Sequence, residues 1–312
     1  MKIITAPAAL DPPIGRVCAA IGMFDGVHLG HQQVIRQSVT DAHQHEATSL
    51  CVTFDCHPAT IISPQRAPRL IQSLPQRLAA IESLGIDATI ILNFDEPMSR
   101  VAAADFIRQL NGDIGEIKSL CVGAKFAFGQ NRRGNVELLQ QLGEELNFTV
   151  HGLAAVALDG EIISSTRIRQ AITEGRLDAA IQMLGREYAL GGDVIKGDQR
   201  GRELGCPTAN LDCTGRCLPP TGVYAAHAKV GQKTHRAAVN IGHRPTVSGP
   251  DTTLHVEAHL LDFSGDLYGE HLELTFVDKL RDEQRFDSID DLKEQIALDL
   301  TAARARFHLP QS

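Results

Sequence analysis

The chain has 312 residues, 43% hydrophobic and 22% charged, the proportions of a globular protein long enough for two domains. Its net charge of −8 argues against a nucleic-acid backbone as the main partner, which would call for a basic face, but leaves room for small anionic ligands. No run approaches the roughly 18 to 20 apolar residues of a membrane span, and Met1–Pro7 is too short an apolar start for a signal peptide, so the expected location is the cytoplasm.

The first predicted strand, Val17–Ile21, runs into Gly22-Met23-Phe24-Asp25-Gly26-Val27-His28-Leu29-Gly30-His31, followed by a helix-compatible stretch. Glycines there let the backbone turn tightly, and the free N–H groups opening a helix favour an anion such as phosphate. His28 and His31, three apart, would share a face on a first helical turn. Ala47–Phe54 is a second strand candidate, ending at Asp55-Cys56-His57-Pro58. A helix over 75–84 follows, capped by Ser73, then a strand at Ala88–Phe94 and a helix carrying Phe106 and Leu110, for which Ser99 is the expected cap. Further strands are expected at Lys118–Gly123 and Asn147–His151.

Unbroken apolar strands joined by helices predict a Rossmann-like α/β domain with a parallel sheet covered on both faces. Ligands of such sheets bind beyond the carboxyl ends of the strands. The segments 22–31, 55–58, 123–134 and 163–169 all belong to such ends, so one shared pocket is expected. From Tyr188 the pattern changes to short strands with glycine-rich breaks: Ala189–Ile195, Val223–Val230, Arg236–Ile241, Leu254–Leu261 and His271–Val277. That is the signature of an antiparallel barrel or sandwich. Ser288 caps a final helix with Leu292, Ile296 and Leu300 on one stripe, and Asp291 suits its N-terminal dipole. The predicted domains are 1–184 and 185–312. The seven cysteines are scattered without a CxxC pair, which excludes a recognisable zinc motif and fits reduced, structural thiols.

These motifs, together with Thr53-Phe54-Asp55-x-His57-Pro58, Val122-Gly123-x-x-Phe126-x-Phe128-Gly129 and Ile163-Ser164-Ser165-Thr166-x-Ile168-Arg169, resemble the bacterial bifunctional riboflavin kinase/FMN adenylyltransferase family, also called FAD synthetase. The C-terminal half resembles it independently. It carries Gly197-x-x-x-Gly201-Arg202-x-Leu204-Gly205-x-Pro207-Thr208-Ala209-Asn210, Pro220-x-Gly222-Val223-Tyr224, and Asn240-Ile241-Gly242-x-Arg244-Pro245-Thr246. HxGH alone marks a nucleotidyltransferase superfamily; GxxLGxPTAN is more specific.

The resemblance implies phosphorylation of riboflavin to FMN by a C-terminal β-barrel of riboflavin kinase type, and adenylylation of FMN to FAD by the N-terminal domain, with ATP as co-substrate and Mg²⁺ as cofactor. It implies His28, His31 and Arg169 as catalytic groups of the adenylyl transfer and Glu257 as the base of the kinase. Nucleotide binding falls to Gly22, Phe24, Asp25, Gly26, Gly30, Ser164, Ser165 and Thr166 in one half. In the other it falls to Gly197, Gly201, Arg202, Gly205 and Pro207. Flavin contacts fall to His57, Pro58, Phe126, Phe128 and Asn131, and metal binding to Thr208 and Asn210. Arg167, two residues from Arg169, is expected to face solvent. The expected partners are riboflavin, FMN, FAD and ATP, with no nucleic acid and no membrane, and a monomer or weak homo-oligomer. The chain departs from the family pattern at Cys56, Ala124-Lys125 and Cys206, which bears on affinity rather than on the groups assigned to chemistry. The rival readings are a chain with one active half, a non-catalytic flavin-binding regulator, and a cytidylyltransferase-like enzyme using HxGH alone.

Overall fold

A computed structural model describes residues 1–7, 13–197, 206–243 and 254–307. The chain separates into two compact units. The first comprises Met1–Leu70, Leu74–Ile168 and Met183–Gly185; the second comprises Ile71–Ser73, Arg169–Gln182 and Arg186–Ser312.

The first unit is built on β1 (Lys2–Ile4), β2 (Gly15–Ile21), α1 (Leu29–His45), β3 (Thr48–Phe54), α2 (Ala59–Ile62) and α3 (Leu74–Glu82). It continues with β4 (Ala88–Leu92), α4 (Glu96–Ser99), α5 (Ala103–Ile114), β5 (Gly115–Gly123), α6 (Val136–Leu146) and β6 (Thr149–Leu153). A short hairpin, β7 (Ala157–Leu158) and β8 (Glu161–Ile162), precedes α7 (Ser165–Thr173) and α8 (Leu177–Leu184), of which Arg169–Gln182 belong to the second unit. The sheet order is β1-β4-β3-β2-β5-β6, and every pairing is parallel. Strand side chains alternate between two apolar layers. Val17, Ala19 and Ile21 pack with α5 and α6 residues such as Ile107 and Leu139, whereas Ala20 packs with Val34 and Ile35 of α1. The strand order reverses between β2 and β5, which opens a crevice at their carboxyl ends.

One expectation needs correction. Ser99 does not cap α5: it closes the separate short helix α4, whose cap is Asp95, and α5 starts from Ala102 with no side-chain cap. Pro97 at the start of α4 stabilises that extra turn.

In the second unit a closed antiparallel barrel follows the order β10-β13-β12-β11-β14-β9. Its strands are β9 (Ala189–Ile195), β10 (Ala209–Asp212), β11 (Gly222–Val230), β12 (Lys233–His243), β13 (Leu254–Leu260) and β14 (His271–Arg281). Its buried layer alternates along the strands, as in Val256, Ala258 and Leu260 of β13 and Leu272 and Leu274 of β14. Helix α9 (Ile289–Arg306) follows, and Ser288 caps it by accepting from the Asp291 N–H at 3.1 Å, as the sequence predicts. Ala303 with Leu300 and Phe307 packs α9 on Ala225 and Ala238. Strand β10 starts inside the PTAN motif and runs past it to Asp212, a strand the sequence reading does not include. It forms because β9 and β13 pair with it on both sides.

Candidate active sites

In the first unit the turn after β2 is wound tightly. Phe24 (φ 51°) and Val27 (φ 36°), neither a glycine, take left-handed backbone beside Gly26 (φ 87°). The turn is closed by the Val27 N–H donating to the Phe24 carbonyl at 3.0 Å. Residues there are strained and persist only when their surroundings over-determine them. The supports are visible. Thr53 Oγ1 donates to the Met23 carbonyl at 3.1 Å and Ser165 Oγ to the Asp25 carbonyl at 2.9 Å. Gln32, buried on α1, donates to the carbonyls of Val27 and Leu184.

His28 is the N-cap of α1, and its Nδ1 accepts from the His31 backbone N–H at 3.3 Å. An accepting Nδ1 puts the neutral ring's proton on Nε2, which leaves that nitrogen as a donor. The His28 and His31 rings stack with centroids 3.6 Å apart, and Phe24 meets His31 edge-on at 5.3 Å. A Cβ at Gly22 would stand 2.9 Å from the Phe24 ring, so glycine makes room for this aromatic base. Two imidazoles beside a helix N-terminus can stabilise negative charge developing on a phosphoryl group.

The other sequence-predicted groups of the first unit lie on the loops after β3 and β5 and at the start of α7. Asp55 accepts the N–H groups of Cys56 and Phe94, tying the loop after β3 to that after β4. His57 Nδ1 accepts from Ala59, and Pro58 is the N-cap of α2. After β5, Phe126 and Phe128 stack at 5.3 Å, and Asn131 takes left-handed backbone (φ 54°). Ser164 accepts the Arg167 N–H at 3.2 Å at the start of α7. Arg167 does not point into bulk solvent: it donates to the Leu158 and Glu161 carbonyls of the β7–β8 hairpin and pairs with Glu161. Thr166 is exposed on the first turn of α7. Arg169 falls in the second unit, where its carbonyl accepts from the Cys217 thiol at 3.6 Å.

In the second unit, cross-strand register sets Asn210, Glu257 and Asn240 in one row on β10, β13 and β12. Thr208 Oγ1 lies 3.4 Å from Glu257 Oε2. His259, two residues along the same face of β13, bonds through Nδ1 to the Pro207 carbonyl at 2.8 Å. A Cβ at Gly197 would collide with the Asn210 side chain, so glycine there allows close approach. Gly201, Arg202 and Gly205 lie outside the described residues, as do Arg244, Pro245 and Thr246.

This row opens on a cavity of about 1070 Å³. Its barrel wall includes Thr208, Asn210, Glu257 and His259, and its far wall includes Leu292, Ile296 and Leu300 of α9. Cys206 lines it too, and burial, reinforced by the Glu257 carboxylate, pushes that thiol up to about 11. The sequence reading named Glu257, Thr208 and Asn210. It missed Asn240, His255, His259, Arg281 and Asp299, which share the cavity. The signal for the first three was available: His255 and His259 flank Glu257 at period two, and Asn240 opens a quoted motif.

Thr208, Asn210 and Glu257 form a hydroxyl, amide and carboxylate set, the oxygen chemistry that suits Mg²⁺. Among the described residues no group of three His, Cys, Asp or Glu side chains is placed to hold a metal by itself, so such an ion would rely on phosphate oxygens as well. All seven cysteines are free thiols, six of them buried. Among the described residues no helix is long and apolar enough to cross a membrane.

Residues 13–167 match the family model for FAD synthetase, and residues 184–307 match that for riboflavin kinase. The bifunctional riboflavin kinase/FMN adenylyltransferase of Pseudomonas fluorescens is 37% identical over 305 residues, covering 98% of this chain and 97% of the relative. The protein of the same name from Escherichia coli K12 is 37% identical over 311 residues, 99% of each chain. A crystal structure described as a macrolide-efflux protein from Streptococcus pneumoniae superposes with a TM-score of 0.79 at 27% identity, covering 97% of this chain and 99% of that one.

Proposed function

The chain belongs to the bifunctional riboflavin kinase/FMN adenylyltransferase family, and from that premise we propose that it makes both flavin cofactors, converting riboflavin to FMN and FMN to FAD. The observation that carries this reading is the presence of both donor sets in one chain. One is the His28–His31 stack at a helix N-terminus, and the other is the Asn210–Glu257–Asn240 row facing a cavity. The activities divide between residues 1–184 and 185–312.

In the kinase half Glu257 accepts the proton of the ribityl hydroxyl as its oxygen attacks the γ-phosphorus of ATP; the γ-phosphoryl moves to riboflavin and ADP leaves. Thr208 and Asn210 would hold Mg²⁺ together with the phosphates, and the ion would supply positive charge beside the transferred group. Gly197 and Pro207 border the nucleotide, and the family pattern assigns nucleotide binding to Gly201, Arg202 and Gly205 as well. The 1070 Å³ cavity suits the flavin ring by size, being lined by apolar α9 side chains on one wall and polar groups on the other.

In the adenylyltransferase half a phosphate oxygen of FMN attacks the α-phosphorus of ATP and pyrophosphate leaves. His28 and His31 donate to the α-phosphate oxygens, aided by the N-terminus of α1. Ser164, Ser165 and Thr166 offer donors at a second helix start. The stacked Phe126–Phe128 pair supplies an aromatic face for the isoalloxazine, with His57, Pro58 and Asn131 at its edge. The enzyme works in the cytoplasm as a monomer or weak homo-oligomer.

Incubation with riboflavin and ATP–Mg²⁺, followed by chromatography, tests this. Both FMN and FAD are expected. FMN without FAD refutes the adenylyltransferase, FAD from supplied FMN but none from riboflavin refutes the kinase, and tight flavin binding without ATP consumption refutes both.

A further inference from the structure

Arg77 of α3 is an unusual core residue: 3% exposed and charged. Burying a guanidinium is unfavourable unless its donors are used, and a packing role alone would suit Met or Leu as well. Its donors go to two specific places. Nη1 donates to the Met23 carbonyl at 2.9 Å and Nη2 to the Phe54 carbonyl at 2.5 Å. Met23 belongs to the turn after β2, and Phe54 ends β3 beside the Asp55-Cys56-His57-Pro58 segment. One rigid fork thus joins the two strand ends that frame the site.

What hangs on the first of these bonds is the strained turn. Met23 immediately precedes Phe24, whose left-handed backbone places its ring edge-on to His31. A bulky residue leaves that conformation readily once its neighbours release it. The Met23 carbonyl is gripped twice, by Arg77 and by Thr53, which suits the anchor of a turn held away from its relaxed shape. Arg77 Nε, also buried, has no acceptor among the described residues. The side chain is therefore not arranged to satisfy every N–H; its fork is directed at the two loop carbonyls. Desolvation works against the charge of this guanidinium, and the fields of Asp25 and Asp55, in the same loops, oppose that effect.

We infer that Arg77 is a positioning residue for adenylyl transfer: by clamping the Met23 and Phe54 carbonyls it keeps Phe24 beneath His31 and so fixes the His31 imidazole where the α-phosphate reacts. Arg77 touches no substrate itself. The inference rests on the assignment of FMN adenylylation to this site.

The experiment uses the full-length enzyme as wild type, Arg77→Met, Arg77→Lys and His31→Ala. FAD formation from FMN and ATP–Mg²⁺, and riboflavin phosphorylation, are measured on each preparation. For Arg77→Met, kcat of FAD formation should fall on the order of 100-fold, the effect of a misplacement near one ångström. KM for FMN and ATP should change far less than kcat, because the clamp acts on the placement of the His31 ring rather than on a substrate contact of its own. Kinase turnover should remain that of the wild type. Arg77→Lys should recover part of the loss, since an ammonium can still donate to the Met23 carbonyl but lacks the rigid fork that holds both carbonyls. Wild-type FAD turnover in Arg77→Met overturns the inference, as does a Lys variant no better than Met, or loss of both activities together. A wild type that makes no FAD, or a fully active His31→Ala, defeats the adenylylation reading instead. The clamp is then judged from histidine ring resonances by NMR. The His31 signal, displaced by its stack on His28 and its edge contact with Phe24, should relax in Arg77→Met and persist in Arg77→Lys. An unmoved signal in Arg77→Met overturns the clamp.

Discussion

Replacing Asp299 by alanine should loosen α9 from the barrel. Asp299 accepts from Arg281 Nε at 2.9 Å and from Nη2 at 2.7 Å, a bidentate pair, and Gln295 Nε2 donates to the same carboxylate at 2.9 Å. The side chains keep only 21% (Arg281) and 11% (Asp299) of their exposure. Breaking a fully buried pair costs about 3–5 kcal/mol because the remaining charge loses its partner. Arg281 retains some water, a second acceptor in the Asp282 carbonyl and the Phe286 ring at 5.9 Å, which brings the expectation to about 2–3 kcal/mol. For a unit of this size that is a fall in Tm of roughly 8–12 °C. Leu292, Ile296 and Leu300 on the same helix line the cavity, so the KM for riboflavin should rise while FMN adenylylation is unaffected. Calorimetry and initial-rate kinetics on the full-length protein measure both. The paired replacement Arg281→Met with Asp299→Leu should regain most of the Tm, since apolar groups of similar volume substitute well for a buried pair. A loss in Asp299→Ala below about 0.5 kcal/mol, or a double variant as unstable as the single one, would refute the argument.

Glu257→Gln keeps the shape of the row with Asn210 and Asn240 but removes the carboxylate proposed as the base. FMN formation should drop by roughly 10²–10⁴ while FMN is still converted to FAD, and loss of both activities would make Glu257 structural. Gly22→Ala puts a methyl 2.9 Å from the Phe24 ring, which must move about half an ångström to reach ordinary contact. Adenylylation should then fall about tenfold, and unchanged FAD turnover would show that the ring's placement does not matter. Alkaline pH should destabilise the protein. Burial raises Cys206 to about 11 and Cys213 to about 12, and drives Cys51 and Cys121 upward as well. Unfolded thiols titrate near about 8.5, so from there upward the native state binds more protons than the unfolded one, and stability falls as pH rises through 9 towards 11. Urea midpoints that stay level across that interval would contradict the burial of these thiols.

The strands that the sequence made legible were those whose own residues decide their environment. Val17–Ile21 is apolar throughout and Ala88–Leu92 is apolar but for Thr89, and both are buried along their whole length because both sheet faces are covered, while the alternation of β13 follows from one barrel face being buried. The motif residues were legible for a similar reason: glycines, histidines and serines at strand ends mark chemistry through their own types. Strand β10 was not, because four residues become a strand only when β9 and β13 supply partners. The boundary at Ser99 was misplaced because a local capping signal was satisfied one turn earlier, by Asp95 and Pro97. Arg77 and the Arg281–Asp299 pair were invisible for a deeper reason. A charged residue in a helix reads as a solvated one until tertiary structure removes the water and supplies partners distant in sequence, at Met23 and Phe54 or across 18 positions. By itself the sequence determined the candidate residues for chemistry, the period of most elements and the family. Tertiary structure decided which of those groups meet, and which buried charges hold them there, because burial and partner distance are properties of packing.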